Sequence, residues 1–301
     1  MSTEALAVRG RLPGAGVLAD YWALTKPDIN LLILITTAAG FCLASSSHPG
    51  GFPVFLLIHT LAGTLLVASG TATLNQYVER QFDAQMRRTK RRPLAAGRIE
   101  PWRALWFGIG LSVSGAIYLA AAVNLLASLL AVLTLLSYLL VYTPFKRKTP
   151  LCTLIGAFPG ATPPLIGWAA ASGTLGLKAW VLYSLVFLWQ FPHFMAIAWM
   201  YREDYERAGY IVLPHGQRRN SLMSLQTVLP SLALVALSFA PMLLGTDGLF
   251  YTAGALLLSI CFLYYGAQLI ICKTNAAARR LLLVSIIYLP IVFVLMVLDK
   301  K

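Results

Sequence analysis

Apolar residues in this chain run in long blocks, and short polar connections separate one block from the next. Nine blocks can be drawn, at roughly 28–46, 54–74, 103–123, 125–143, 151–171, 179–200, 226–245, 248–271 and 280–298. Each is long enough to cross the hydrocarbon of a bilayer as a helix. Only Asn124 interrupts the run between the third and fourth blocks, so that boundary is the least marked. The pattern predicts an all-α membrane protein of nine transmembrane helices. Residues 1–25 form a cytoplasmic N-terminal segment, and 26–301 form a single polytopic domain. The first 25 residues carry Arg9, Arg11 and Asp20 but no apolar core followed by a cleavage site, so no cleavable signal peptide is expected.

Composition agrees with that reading. The 301 residues are 58% hydrophobic and 12% charged, with mean hydropathy +0.72. A soluble protein of this length could not hide so much apolar surface. The net charge of +13 would suit a nucleic-acid partner, but its placement argues against one. Twenty-one of the 24 Lys and Arg fall before the first block or after even-numbered ones, and the other connections hold only Lys178, Lys300 and Lys301. The positive-inside rule then puts the N-terminus in the cytoplasm of a cell with an inner membrane and the C-terminus outside. Cys42, Cys152, Cys261 and Cys272 form no Cys-x-x-Cys pair and read as small apolar packing residues.

Chemistry gathers at two of the cytoplasmic connections. Asn75, Glu79 and Asp83 stand four residues apart where the second block leaves the membrane, which keeps them on one helical face. Arg80, Arg87, Arg88, Lys90, Arg91 and Arg92 follow directly. Oxygen ligands suit a hard cation such as Mg²⁺, and guanidinium groups suit phosphate oxygens, so this stretch fits a metal-bound diphosphate. The second connection, after the sixth block, carries Glu203, Asp204, Tyr205 and Glu206. Six of the 11 acids sit in these two connections or their helix ends, although the positive-inside rule demands none there. Asp204 is therefore placed across a central cavity from the first ladder. His193, eleven residues upstream of Asp204, lies on nearly the same face of a continuous helix. It is either a packed histidine or a ligand. His59 reads as packing or a helix–helix hydrogen bond; His48 has no role, and His215 is left open. Lys146, Arg147 and Lys148 lie on the same side and are either membrane anchors or part of the site.

These residues resemble the UbiA superfamily of intramembrane prenyltransferases, and within it the branch that farnesylates protohaem IX. The resemblance runs from about Tyr21 to the last block. It is carried by Asn75, Glu79, Asp83, Met86, Arg88, Thr89, Arg92, Pro93 and Leu94, and by Asp204, Tyr205, Ala208 and Gly209 with Pro192, His193 and Phe194 upstream. Tyr142, Thr143, Lys146, Arg147, Thr149 and Pro150 fit the same branch. The second motif departs from that of the quinone-type relatives: His193 stands near the place of an upstream aspartate, leaving Glu203 and Asp204.

The resemblance implies nine helices around a central cavity, with Mg²⁺-dependent farnesyl diphosphate and protohaem IX (haem b) as substrates. It implies haem O as product, destined for terminal oxidases directly or through haem A, with haem A synthase or oxidase assembly proteins as partners. Asn75, Glu79, Asp83 and Asp204 would hold the metal and, with Tyr205, form the catalytic set. Arg80, Arg88, Arg92, Lys146, Arg147, His193 and Tyr142 would bind substrates, and Tyr142, Tyr201 and Tyr205 could shield an allylic cation. Two rivals are an aromatic, quinone-precursor prenyltransferase with the same ladder and an ion-coupled transporter. The transporter is disfavoured because the acids lie at the cytoplasmic mouth rather than the midplane.

Overall fold

A computed structural model describes residues 13–45, 51–214 and 217–300, which leaves Arg9, Arg11, His48, His215 and Lys301 outside it. Its architecture is all helical, with one isolated bridge between Asp247 and Lys300. A short helix α1 (Pro13–Leu24) precedes α2 (Pro27–Ala44), α3 (Val54–Asp83), α4 (Pro101–Ala122) and α5 (Leu125–Leu136). Helix α5 runs on through a π-helical segment, Ser137–Tyr142, into α6 (Thr143–Phe145). Then come α7 (Cys152–Gly160), α8 (Pro163–Ser172), α9 (Leu177–Met200) and α10 (Arg202–Arg207). The chain finishes with α11 (Gln217–Leu237), α12 (Ala240–Leu243), α13 (Leu249–Cys272) and α14 (Asn275–Leu298).

Among the described residues eight continuous helices are long and apolar enough to cross a membrane, not nine. The expected fifth span is broken. Pro163 and Pro164 both lack an N–H, so the i→i−4 ladder cannot pass Ala161–Thr162, and 151–171 folds as α7 and α8. The pair still runs from the end of the bundle that holds Lys146 to the end that holds Lys178, where Asn124 Nδ2 donates to the Ala169 carbonyl at 2.8 Å. Asn124 also marks the α4–α5 turn as anticipated: its side chain accepts from the Ala127 N–H at 2.8 Å and caps α5.

Without a hydrophobic force between helices in lipid, close backbone approach holds such a bundle together. Helices α2 and α8 meet through Gly40 and Gly167, where an added Cβ would run into the backbone of Pro164 and of Thr37. Leu140, Leu257, Ile271 and Leu283 turn outward, as lipid-facing residues do. Helix α9 is the inner one: 61% of its spanning window is buried, against 17% for α5. Lys26, Glu79, Lys146 and Tyr210 gather at one end of the bundle, and Cys42, Lys178, Asp247 and Lys300 at the other.

Candidate functional site

The last turns of α3 carry the ladder. Asn75, Glu79 and Asp83 are only 1%, 6% and 2% exposed, so the amide and the two carboxylates must be answered within the protein. Glu79 is held by the Lys146 ammonium at 2.9 and 3.2 Å, by the Asn75 amide at 2.9 Å and by the Tyr210 hydroxyl at 3.1 Å. Both oxygens of Asp83 accept from Arg92 Nη1, at 2.9 and 2.7 Å. The remaining amide oxygen, Asn75 Oδ1, accepts from Lys26 Nζ at 2.9 Å. Each rung thus meets a cation from a different part of the chain.

Local structure explains how those cations arrive. The π-helical segment before Lys146 sets Tyr138 and Tyr142 with ring centroids 5.0 Å apart. Lys146 Nζ lies 4.5 Å from the Tyr142 centroid and 5.8 Å from that of Tyr138. Burial alone would lower the Lys146 pKa, but the Glu79 carboxylate and the two tyrosines hold it well above the lysine range. Lys26 sits at φ 53°, in the left-handed region, just before Pro27. Burial, with Arg92 beside it, lowers its pKa to about 7 against the pull of Glu79.

The second connection closes over the first. Asp204, 7% exposed, accepts from the Arg88 backbone N–H at 3.1 Å and from Arg207 Nη1 at 2.9 Å. Burial opposes ionisation of Asp204, but the Arg88 and Arg87 N–H groups and Arg207 outweigh it and lower its pKa. Met86, Ala208 and Tyr210 share one apolar cluster, and the Ile211 N–H reaches the Lys146 carbonyl at 3.0 Å. Gly209, at φ 71°, makes the turn that brings Tyr210 to Glu79, a conformation few other residues adopt. Burial first, and Glu79 second, push the Tyr210 hydroxyl pKa up, so the group stays a donor.

A cavity of ≈ 440 Å³ opens here, walled by Glu79, Phe82, Thr143, Arg147 and Tyr210. A smaller one of ≈ 40 Å³ lies at the opposite end beside Lys178, Asp247 and Lys300, away from this convergence of charges.

Several expected residues take other positions. Arg80 points away from the ladder, its guanidinium 4.6 Å from the Tyr77 ring centroid and bonded to the Tyr77 carbonyl, because a residue one step along a helix turns by about 100°. Arg88 covers Tyr201 at 4.8 Å and Arg147 covers Phe82 at 4.1 Å. Tyr205 packs edge-on to Tyr210 at 5.9 Å. His193 and Asp204 do not share a helix: α9 ends at Met200, and Tyr201 (φ −110°, ψ 20°) starts a new direction. His193 instead meets Ser285 of α14, Nδ1 to Oγ 2.8 Å. His59 makes its helix–helix bond to Tyr118 at 2.7 Å. Among the described residues no three His, Cys, Asp or Glu side chains gather as a metal cluster. The ladder's oxygen-only donors nevertheless fit a hard cation, and Lys146 and Arg92 stand as positive charges against them.

Sequence reasoning took Lys26 for a topology charge and passed over Tyr210 and Tyr138. Tyr210 directly follows the Asp204–Gly209 motif, and Tyr138 lies four residues before Tyr142, so both had a positional signal.

Residues 33–289 match the UbiA prenyltransferase family. The chain is 47% identical to a protoheme IX farnesyltransferase of Solibacter usitatus (strain Ellin6076), over 94% of this chain and 99% of that one. It is 39% identical to the protoheme IX farnesyltransferase of Koribacter versatilis (strain Ellin345), over 99% and 98%. Its fold is similar to a structure described for digeranylgeranylglyceryl phosphate synthase in membranes, with TM-score 0.76, 19% identity and coverage of 94% and 98%. It is also similar to a UbiA homolog from Archaeoglobus fulgidus bound to GPP and Mg²⁺, with TM-score 0.67, 16% identity and coverage of 92% and 99%.

Proposed function

The chain belongs to the UbiA prenyltransferase family, and on that premise we propose that it transfers the farnesyl group of farnesyl diphosphate to a vinyl group of protohaem IX, giving haem O. The observation that carries the reading is the buried ladder of Asn75, Glu79 and Asp83 facing Lys26, Lys146 and Arg92 beside an open cavity. Identities of 47% and 39% to protoheme IX farnesyltransferases, over nearly the full length of each chain, support the choice of acceptor.

Mg²⁺ bound by Asn75, Glu79, Asp83 and Asp204 would supply charge neutralisation for the leaving diphosphate. The chain's own part is to hold that diphosphate and shelter what it leaves behind. Lys26, Lys146, Arg88, Arg92 and Arg147 bind its oxygens as the Glu79–Lys146 and Asp83–Arg92 pairs open. The C1–O bond breaks with its electron pair going to diphosphate. Tyr142 and Tyr138, whose rings the Lys146 ammonium covers, would turn π faces to the allylic cation once Lys146 moves to the diphosphate, and Tyr205 would help keep water from it. The haem vinyl π pair then bonds to C1, water adds to the cation formed beside the porphyrin, and one proton leaves, giving a hydroxyethylfarnesyl group. His193 belongs to the haem side of this arrangement.

The protein is a multi-pass membrane protein. We place residues 26–301 in one domain in the inner membrane, with the ladder end and the N-terminus cytoplasmic and the C-terminus outside. Haem A synthase or oxidase assembly proteins would receive the product.

Incubating purified protein with farnesyl diphosphate and either haem b or 4-hydroxybenzoate, with and without Mg²⁺, tests the reading. Farnesylation of haem b alone, dependent on Mg²⁺, is expected. Product from the phenolic acceptor would transfer the chain to the aromatic branch, and no product from either would remove the enzymatic reading.

A further inference from the structure

His193 sits in a hydrogen-bond chain whose protons can be counted. Ser285 Oγ lies 2.6 Å from the Leu282 carbonyl oxygen, which can only accept, so the single hydroxyl proton is spent there. His193 Nδ1 lies 2.8 Å from the same Oγ. With that proton committed, Oγ can only accept from the imidazole, so Nδ1 carries the hydrogen and Nε2 keeps a lone pair in the neutral ring. Among the described residues the ring's hydrogen bond is the one through Nδ1, and Nε2 makes none.

The ring is also held in orientation. Trp189 stacks on it, centroids 4.7 Å apart and planes 24° apart, and Trp189 is itself pinned by Nε1–H to the Ser285 carbonyl at 2.8 Å. Phe194 meets the ring edge-on at 5.6 Å. One residue of α14 therefore fixes both the tautomer and, through Trp189, the plane. A histidine kept only for packing needs neither a fixed tautomer nor a free ring nitrogen. A histidine that ligates a metal through Nε2 needs both, with Nδ1–H given to a fixed acceptor.

We propose that His193 Nε2 is an axial ligand to the iron of the haem substrate, set for that role by the His193–Ser285–Leu282 chain. The inference rests on haem being the acceptor, as argued above. Ligation at the iron would fix the macrocycle against α9 on the Nε2 side of the ring, away from the Ser285 contact, while leaving its vinyl groups free to react. No bond to iron breaks or forms during prenyl transfer, so His193 is a substrate-positioning residue for the reaction.

The test is spectroscopic. Haem b is added to the purified full chain in detergent, and its absorption and electron paramagnetic resonance spectra are recorded for the parent, His193→Ala and Ser285→Ala. The parent should show a histidine-ligated spectrum. His193→Ala should lose it and regain it on adding free imidazole. Ser285→Ala frees the proton to move to Nε2, and haem affinity should fall about 10- to 100-fold, the usual loss when a ligand's outer partner is removed. Farnesyl diphosphate binding should survive in both variants, which shows that they are folded. If His193→Ala does not fold, the Ser285→Ala titration decides alone, and an unchanged affinity there overturns the proposal. A parent that binds haem with a spectrum unaltered by His193→Ala refutes the ligand assignment and leaves the haem reading intact. A parent that binds no haem removes both.

Discussion

Lys146→Met isolates the electrostatics at the heart of the site. The side chains of Lys146 and Glu79 are 15% and 8% exposed, and their contacts at 2.9 and 3.2 Å engage both carboxylate oxygens. Removing the ammonium leaves Glu79 buried with only the neutral donors Asn75 and Tyr210. Breaking a buried pair from one side costs about 3–5 kcal/mol, chiefly the price of the stranded charge. For a chain of this size the apparent unfolding temperature should drop by roughly 5–15 °C. The double variant Glu79→Gln/Lys146→Met strands nothing and should return to within about 1 kcal/mol of the parent. Arg147→Met, one residue along on an exposed cation, should cost under about 1 kcal/mol. Thermal unfolding in detergent, followed with a thiol-reactive probe of the four free cysteines, reads all four proteins. A double variant no more stable than Lys146→Met, or a Lys146→Met loss under about 1 kcal/mol, would refute the reasoning.

Asp83→Asn should abolish haem O formation at saturating Mg²⁺ while the protein stays folded, because Arg92, partly exposed, can turn to solvent once its partner is neutral; turnover within a few-fold of the parent would take Asp83 out of the site. Arg88→Lys should raise the KM for farnesyl diphosphate more than that for haem, since the forked contact is lost while the charge stays; a change confined to haem would move Arg88 to the porphyrin propionates. Asp247 is 1% exposed at the opposite end; burial raises its pKa and Asp299 adds to the rise, against a hydrogen bond from Thr246 and the charges of Lys300 and Lys178. The folded state therefore holds that proton more tightly than the unfolded chain, so Asp247 favours folding below its folded pKa and loses that contribution as pH rises toward neutrality. Asp247→Asn should flatten this part of the stability-against-pH curve, and identical curves for parent and variant would contradict it.

Much of this was legible in the sequence because membranes restrict the options. Apolar blocks without charge can only be helices, and a four-residue spacing of Asn75, Glu79 and Asp83 fixes one face whatever surrounds it. The reading failed where backbone chemistry overrode hydropathy. Pro163 and Pro164 are apolar by composition yet cannot extend a helical ladder, so the fifth block crosses as two helices where hydropathy alone reads one. The break at Tyr201 separated His193 from Asp204 for the same reason, since periodicity holds only while the helix does. Lys26 and Tyr210 were missed because their contacts with Asn75 and Glu79 span 49 and 131 residues, which local spacing cannot report.

The central claim is that Asn75, Glu79 and Asp83 serve a metal-bound diphosphate. Calorimetric titration of farnesyl thiodiphosphate, an analogue that ionises poorly, into parent and Glu79→Gln protein with and without Mg²⁺ tests it most directly. The account predicts tight binding to the parent only with Mg²⁺, and at least about tenfold weaker binding to Glu79→Gln, a loss of about 1.4 kcal/mol. Equal affinity with and without Mg²⁺, unchanged by Glu79→Gln, would contradict it.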